Sequence, residues 1–188
     1  MKLVFVSNYM NHHQLPFSLA LSQMNDLKYC FIALDPISEE RKKMGYKDID
    51  HEIPFVICAY DSPEKMNQAR KLINEADVTI FGHCPDSLVL ERAKTGKICF
   101  KFSERYFKNL TGLGQALHDI LSACKHLKPF EKLPIYYCCS SAYTAGDLNK
   151  YTNFRGRTFK WGYFPAVKKY DITELMEKKL SVTSAGWK

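Results

Sequence analysis

The chain has 188 residues, 46% of them hydrophobic and 13% aromatic, and carries a formal net charge of +7. That length buries roughly 70% of the unfolded surface, and the apolar content excludes a disordered chain. The longest apolar runs are strand-sized, short of the ~20 residues that cross a bilayer; the basic residues fall in small groups such as Arg41, Lys42, Lys43 and Arg155, Arg157, Lys160, a solvated-surface pattern that excludes a basic nucleic-acid arm.

The first predicted strand is residues 2–7, KLVFVS. A polar loop with Asn8, Asn11, His12 and His13 follows, and a helical pattern takes over at 15–24 with Pro16 in its first turn, where a missing N–H costs nothing. Ring N–H donors beside a helix N-terminus suit a hydroxyl-rich or anionic ligand. No HxxxH spacing or acidic partner accompanies the histidine pair, so no metal is expected there. Residues 28–34 (KYCFIAL) and 55–60 (FVICAY) are the second and third strands, and Ser62-Pro63-Glu64 opens a helix that runs to Ala76.

The fourth strand, 77–82 (DVTIFG), delivers His83 directly before Pro85, which opens a helix to Thr95 with Gly96 as its C-terminal cap. An imidazole between a strand end and a helix start projects into the rim of the sheet, which makes His83 a candidate for ligand contact. Cys84 beside it reads as a packed thiol, since a nucleophile needs a nearby base. The fifth strand, 97–103 (KICFKFS), ends in Ser103, Glu104, Arg105 and Tyr106. The Glu104 and Arg105 charges either hold ligand hydroxyls or pair with each other. Leu117, Ile120, Leu121 and Cys124 mark an amphipathic helix over 114–127. The sixth strand, 134–140 (PIYYCCS), is followed by Ser140 and Ser141, which cap the next helix or face a ligand, and by Asp147, which clamps the same loop or lies on the surface.

Apolar runs of this length, nearly continuous and alternating with helices, are strands buried on both faces. They predict an α/β, Rossmann-like three-layer α/β/α domain with a mostly parallel sheet. In such a sheet the ligand lies beyond the carboxyl ends of the strands, so the polar loops just named form one rim. The dinucleotide fingerprint fails: the first turn reads NYMNHH, the only G-x-G is Gly112-Leu113-Gly114, and no Walker lysine motif exists. No cofactor is expected. The seven cysteines, odd in number and without CxxC spacing, read as reduced buried thiols. A strand pattern almost immediately after Met1 leaves no room for a secretory signal, so a cytoplasmic protein is expected and the sequon Asn109-Leu110-Thr111 is accidental.

Three stretches, SNYMNHHQLPFSLAL at 7–21, FKFSERYFK at 100–108 and CSSAYTAGDLNKYTNFRGRTFKWGYFP at 139–165, together resemble the amino-terminal domain of bacterial GT-B glycosyltransferases of the family-four type, which build capsular and other surface polysaccharides. SER and KWGYFP are the most specific parts. The resemblance implies that residues 1–170 are the acceptor-side Rossmann-like domain, that 171–188 begin an interdomain linker, and that a donor-binding domain with the usual E-x(7)-E motif is absent from this chain. It implies a hexosyltransferase that moves a sugar, with retention of anomeric configuration and without a metal, from a nucleotide-sugar to a glycan or lipid-linked acceptor. The severed half alone would be inactive. Residue by residue, the family's first loop matches Asn8 to His13, with Asn11-His12 in place of a double glycine; its cleft histidine matches His83, the catalytic candidate; its fifth-strand loop matches Ser103 to Arg105, and Ser141 joins the substrate-binding set. The +7 charge would then favour peripheral contact with an anionic inner membrane leaflet. Two other classes fit the same residues: a non-catalytic sugar- or nucleotide-binding module, and a nucleotide-sugar epimerase or deglycosylating hydrolase of similar form.

Overall fold

The computed structural model describes residues 1–106, 113–167 and 169–184; the sequon, Gly112 and the last four residues of the chain lie outside them. The strands are β1 (Lys2–Ser7), β2 (Lys28–Ala33), β3 (Val56–Cys58), β4 (Val78–Phe81), β5 (Cys99–Ser103), β6 (Ile135–Cys139) and β7 (Thr158–Lys160). The helices are α1 (Leu15–Ser22), α2 (Glu39–Lys43), α3 (Pro63–Glu75), α4 (Asp86–Ala93), α5 (Leu113–Leu127), α6 (Thr144–Tyr151) and α7 (Ile172–Ser184). All strand pairs are parallel and the sheet order is β3-β2-β1-β4-β5-β6-β7. This is the α/β three-layer architecture expected from the alternation of strand and helix.

Two elements depart from expectation. β7 is a seventh strand; it pairs Thr158 with Tyr137 at the sheet edge after the turn at Gly156, whose φ of +78° suits a residue without a side chain. α2 is a five-residue helix in which Ser38 accepts from the Arg41 N–H, and none of it is buried, so no apolar period announces it. Residues 172–184, within the stretch expected to begin an interdomain linker, form α7.

The two faces of each strand feed two cores, as a period of two requires. Val4, Val6, Ile32, Phe81, Cys99, Ile135 and Tyr137 pack with Ala69 and Ile73 of α3, Leu88 and Val89 of α4 and Leu148 of α6. Leu3, Phe5, Phe31 and Ile80 pack on the other face with Leu15, Phe17 and Leu21 of α1. Strands buried on both sides explain the unbroken apolar runs. On the second face the cover is thinner towards β7, where Phe100, Tyr136 and Phe159 form an aromatic row with centroids 5.7–6.1 Å apart and Phe159 is 48% exposed.

The sequence places the charge of Arg157 in a surface group, whereas the structure uses it internally. Its guanidinium donates to the carbonyls of Leu133, Glu131 and Asn153 at 2.9, 2.7 and 2.6 Å and lies over the Phe154 ring at 4.7 Å. It pins β7 to the turn before β6. All seven cysteines are free thiols; Cys58, Cys99, Cys138 and Cys139 are buried as expected, whereas Cys30, Cys84 and Cys124 are only half-buried.

Candidate functional site

The sheet order reverses between β1 and β4, and a crevice opens where the crossovers leave in opposite directions. Gly82 follows β4 at this point. A Cβ there would meet Ser7 Oγ at 2.8 Å and Phe5 Cε2 at 3.3 Å, so only glycine lets β4 turn this close to the end of β1. Ser7 is 1% exposed. Its hydroxyl accepts from the His83 backbone N–H and from Gln14 Nε2, both at 3.3 Å, and donates to Asn8 Oδ1 at 3.2 Å. One buried hydroxyl thus ties the β1 loop, the start of α1 and the His83 turn together. Nothing in the polar-loop pattern singles out Ser7; the one signal for it is a serine closing an otherwise apolar strand.

Beyond that hub lies an open groove of about 800 Å³. Asn8, Asn11, His13, His83, Ser103, Glu104 and Arg105 all line it, so the topology brings together the histidines and the charged pair that the strand ends predict to share a rim. His12 and Ser141 do not line it. Asn11 also serves the local backbone. Its side-chain oxygen accepts from the backbone of His13 at 3.0 Å and of Gln14 at 3.2 Å, and its carbonyl accepts from Leu15 at 2.9 Å. These bonds satisfy donors that α1 leaves open at its start. Ser141 serves a turn, accepting from the Tyr143 N–H at 3.2 Å. His12 packs against His13 with tilted rings, centroids 3.8 Å apart, and also meets Tyr46 at 5.2 Å.

His13 is sandwiched between His12 and Tyr163, the latter at 4.8 Å. Its Nδ1 is buried and has no hydrogen-bond partner among the described residues. Burial, and then the neighbouring His12, lower its pKa from the ordinary 6.5. A depressed folded-state value means that the unfolded chain binds the proton more readily. The contribution of His13 to stability is therefore complete above about pH 6.5 and is lost as pH falls through the folded value. Urea midpoints measured on the acid side should fall with pH, and His13→Gln should flatten that dependence; an equal slope in the variant would show that His13 is not its source.

The β5 end contributes the charges. Lys101, only 9% exposed inside the strand, pairs with Asp86 at the start of α4 and sits 4.8 Å from the Phe130 ring centre. His126 Nε2 reaches the other Asp86 oxygen at 2.9 Å. Arg105 and Glu104 do not neutralise each other: Arg105 pairs with Asp147 at 3.2 Å and lies over Tyr143 at 4.7 Å, while Glu104 accepts from the Tyr163 hydroxyl. Asp147 therefore clamps the loop. Ser103 Oγ donates to the Glu104 carbonyl at 2.9 Å and Ser140 Oγ to the Ser103 carbonyl at 3.0 Å, so both serines shape the loop.

Aromatic side chains line the same groove, and Tyr163 among them touches both His13 and Glu104. Phe17, Trp161, Tyr163 and Phe164 line the groove; Phe17 stacks on Phe164 at 5.0 Å and meets Trp161 edge-on at 5.2 Å. Burial, and then Glu104, push the Tyr163 phenol up to about 12, so it stays a proton donor to that carboxylate. The last three aromatics follow β7, a strand that the sequence does not announce, so no strand-end pattern marks them as rim residues. Cys84 also lines the groove, but burial pushes its thiol up to about 12. It is not a thiolate near neutrality and is poorly suited to act as a nucleophile.

The groove thus offers flat apolar faces interleaved with imidazoles, amides and a carboxylate. Such a surface can stack a ring and hydrogen-bond its hydroxyls. Among the described residues, His51, Cys58 and Asp61 form a separate group of metal-ligating side chains outside this groove. A scan against protein-family models and a search of curated protein sequences both find no match to this chain.

Proposed function

We propose that the groove binds a sugar acceptor and that this chain is the acceptor-side half of a glycosyltransferase that uses a nucleotide-sugar. The observation that carries the reading is that the aromatics Trp161, Tyr163 and Phe164 line one groove together with His13, His83 and Glu104 at the sheet's carboxyl edge. Aromatic faces take the apolar C–H faces of pyranose rings, and the polar groups match their hydroxyls. His83 is the group suited to handle a proton of the reacting hydroxyl, because its ring lies exposed in the groove while its backbone is fixed by Ser7. The nucleotide-sugar would be held mainly by a companion donor-binding domain, as the resemblance implies, with retention of configuration and no metal.

One residue favours a lipid-linked acceptor over a free glycan. Arg41 lines the groove, lies 5.4 Å from the Tyr46 ring centre, and has no carboxylate partner among the described residues. A guanidinium with open donors suits the phosphates that join such a glycan to its lipid.

Trp161 supplies a reporter. With Trp187→Phe removing the second tryptophan of the chain, the isolated protein should show saturable fluorescence changes with neutral oligosaccharides, at an affinity of about 1 mM for an open groove with few fixed partners. A diphosphate-bearing glycolipid analogue should bind more tightly, and Arg41→Ala should remove that gain. No response to any of these ligands would refute acceptor binding. Tight binding of nucleotide-sugar to the isolated chain would instead mark a self-sufficient binding module. With the donor-binding domain present, a glycoside product supports transfer; free sugar or an epimerised nucleotide-sugar would decide for a hydrolase or an epimerase.

A further inference from the structure

At the far edge of the sheet β3 ends at Cys58, and two single 3₁₀ turns flank that strand, Asp50–Glu52 before it and Ala59–Asp61 after it. They bring together His51, Cys58 and Asp61, whose ligand atoms all lie within 4.8 Å of one another. His51 Nε2 stands 3.1 Å from Asp61 Oδ1. In a tetrahedral zinc shell, with bonds of about 2.0–2.3 Å, neighbouring ligand atoms are separated by roughly 3.3–3.6 Å. One edge of that shell is nearly present already, and the longer separations close by small rotations of the exposed His51 and Asp61 side chains.

A second observation concerns the neighbouring buried residue of the first turn. Asp50 is 2% exposed, and its Oδ1 accepts from the Met10 backbone N–H at 2.9 Å, yet its buried Oδ2 has no hydrogen-bond partner among the described residues. A buried carboxylate oxygen left open is costly. Asp48, Asp50 and Asp61 put three carboxylates into the short segment around these turns and β3. Of these three, Asp48 alone pairs with a lysine among the described residues, Lys42 at 3.5 Å. The cluster is a concentration of negative charge around a thiol and an imidazole, which is the donor mix that borderline-soft divalent ions prefer.

We propose that His51 Nε2, Cys58 Sγ and an Asp61 carboxylate oxygen bind one zinc ion, with a water in the fourth position and the Asp50 carboxylate supporting the site from within. Binding releases the Cys58 thiol proton to solvent, and zinc gains a thiolate, an imidazole and a carboxylate without any redox change. The bond from Asp50 to Met10 links the site to the loop that carries His12 and His13, so a bound ion would stiffen the edge of the groove without entering it. The proposal is independent of what the groove binds.

Cobalt(II) is the probe. The full chain, treated with chelator and kept reduced, should take up one equivalent of cobalt with an intense near-ultraviolet thiolate-to-cobalt band and tetrahedral visible bands, and zinc should displace it. Cys58→Ser should abolish the thiolate band, whereas Cys30→Ser, in β2, should keep it. His51→Ala and Asp61→Asn change exposed side chains and should each weaken uptake by at least about tenfold with the fold intact by circular dichroism. Absence of the band in the wild-type chain, its survival in Cys58→Ser, or wild-type affinity in both exposed variants would each overturn the assignment. Should Cys58→Ser fail to fold, the two exposed variants decide alone.

Discussion

Arg92→Ala is expected to destabilise the fold by on the order of 4 kcal/mol, which for a chain of this size lowers Tm by roughly 8–16 °C. Arg92 lies on α4 and is 0% exposed. Its guanidinium donates to backbone carbonyls rather than to a carboxylate: those of Asn74 and Ala76, each at 2.7 Å, and of Asp77 at 3.3 Å. These are the carbonyls that α3 leaves open at its C-terminus and in the turn into β4. Truncation removes charge-assisted bonds, opens a cavity between α3 and α4, and leaves acceptors dry.

Arg92→Lys should recover only a minor part of the loss. A single ammonium cannot reach acceptors spread across two turns as the planar fork does, and Lys97 Nζ already occupies part of the same ground at 2.8 Å from the Asn74 carbonyl. Urea unfolding with an unchanged m-value checks both variants. A loss below about 1 kcal/mol for Arg92→Ala would mean that water satisfies the turn and that the buried guanidinium is dispensable.

Arg92 also shows where the sequence is opaque. The strands are legible because burial on both faces demands continuous apolarity: LVFV in β1 and VTIF in β4 fit little else. The start of α3 is legible from Pro63 behind Ser62, whose hydroxyl accepts from Lys65 at 3.2 Å, and the stop of α4 from Gly96, which adopts a φ of +80°. Charge, by contrast, is read by default as solvated surface. Arg92, Lys101 and Arg157 each break that default for a different reason: a helix C-terminus, a carboxylate at the mouth of the groove, and the carbonyls of an edge turn. No spacing rule distinguishes them, because their partners are backbone atoms or residues brought near only by the fold.

The site is half legible by the same logic. Parallel strands send all their exits one way, which suffices to bring His13, His83 and Glu104 into one groove. That logic says nothing about which of two neighbouring side chains turns inward, so His12 and Ser141 share the sequence pattern of groove residues without lining the groove. It also misses Trp161, Tyr163 and Phe164, whose placement depends on β7. Three residues with one pairing edge, Thr158–Lys160 carry too little apolar pattern to be told from a loop.

His83 carries the largest expected effect on activity. On the proposed function, His83→Ala in the chain assembled with a donor-binding domain should lower kcat by about 10²–10⁴-fold, the range for a positioned proton-transfer group, with KM nearly unchanged. Stability should hold, because the ring is exposed and the contact that matters to the fold is its backbone N–H to Ser7 Oγ at 3.3 Å, which alanine keeps. His13→Ala is the informative counterpart. Its ring is packed between His12 and Tyr163, so its loss should loosen the groove's aromatic packing and raise KM for the acceptor more than it lowers kcat. Opposite splits in the two variants would separate proton handling from ring stacking. A wild-type kcat in His83→Ala would remove that residue from the chemistry, whatever the groove binds, and would shift attention to the other titratable groups that line it, His13, Glu104 and His126 among them.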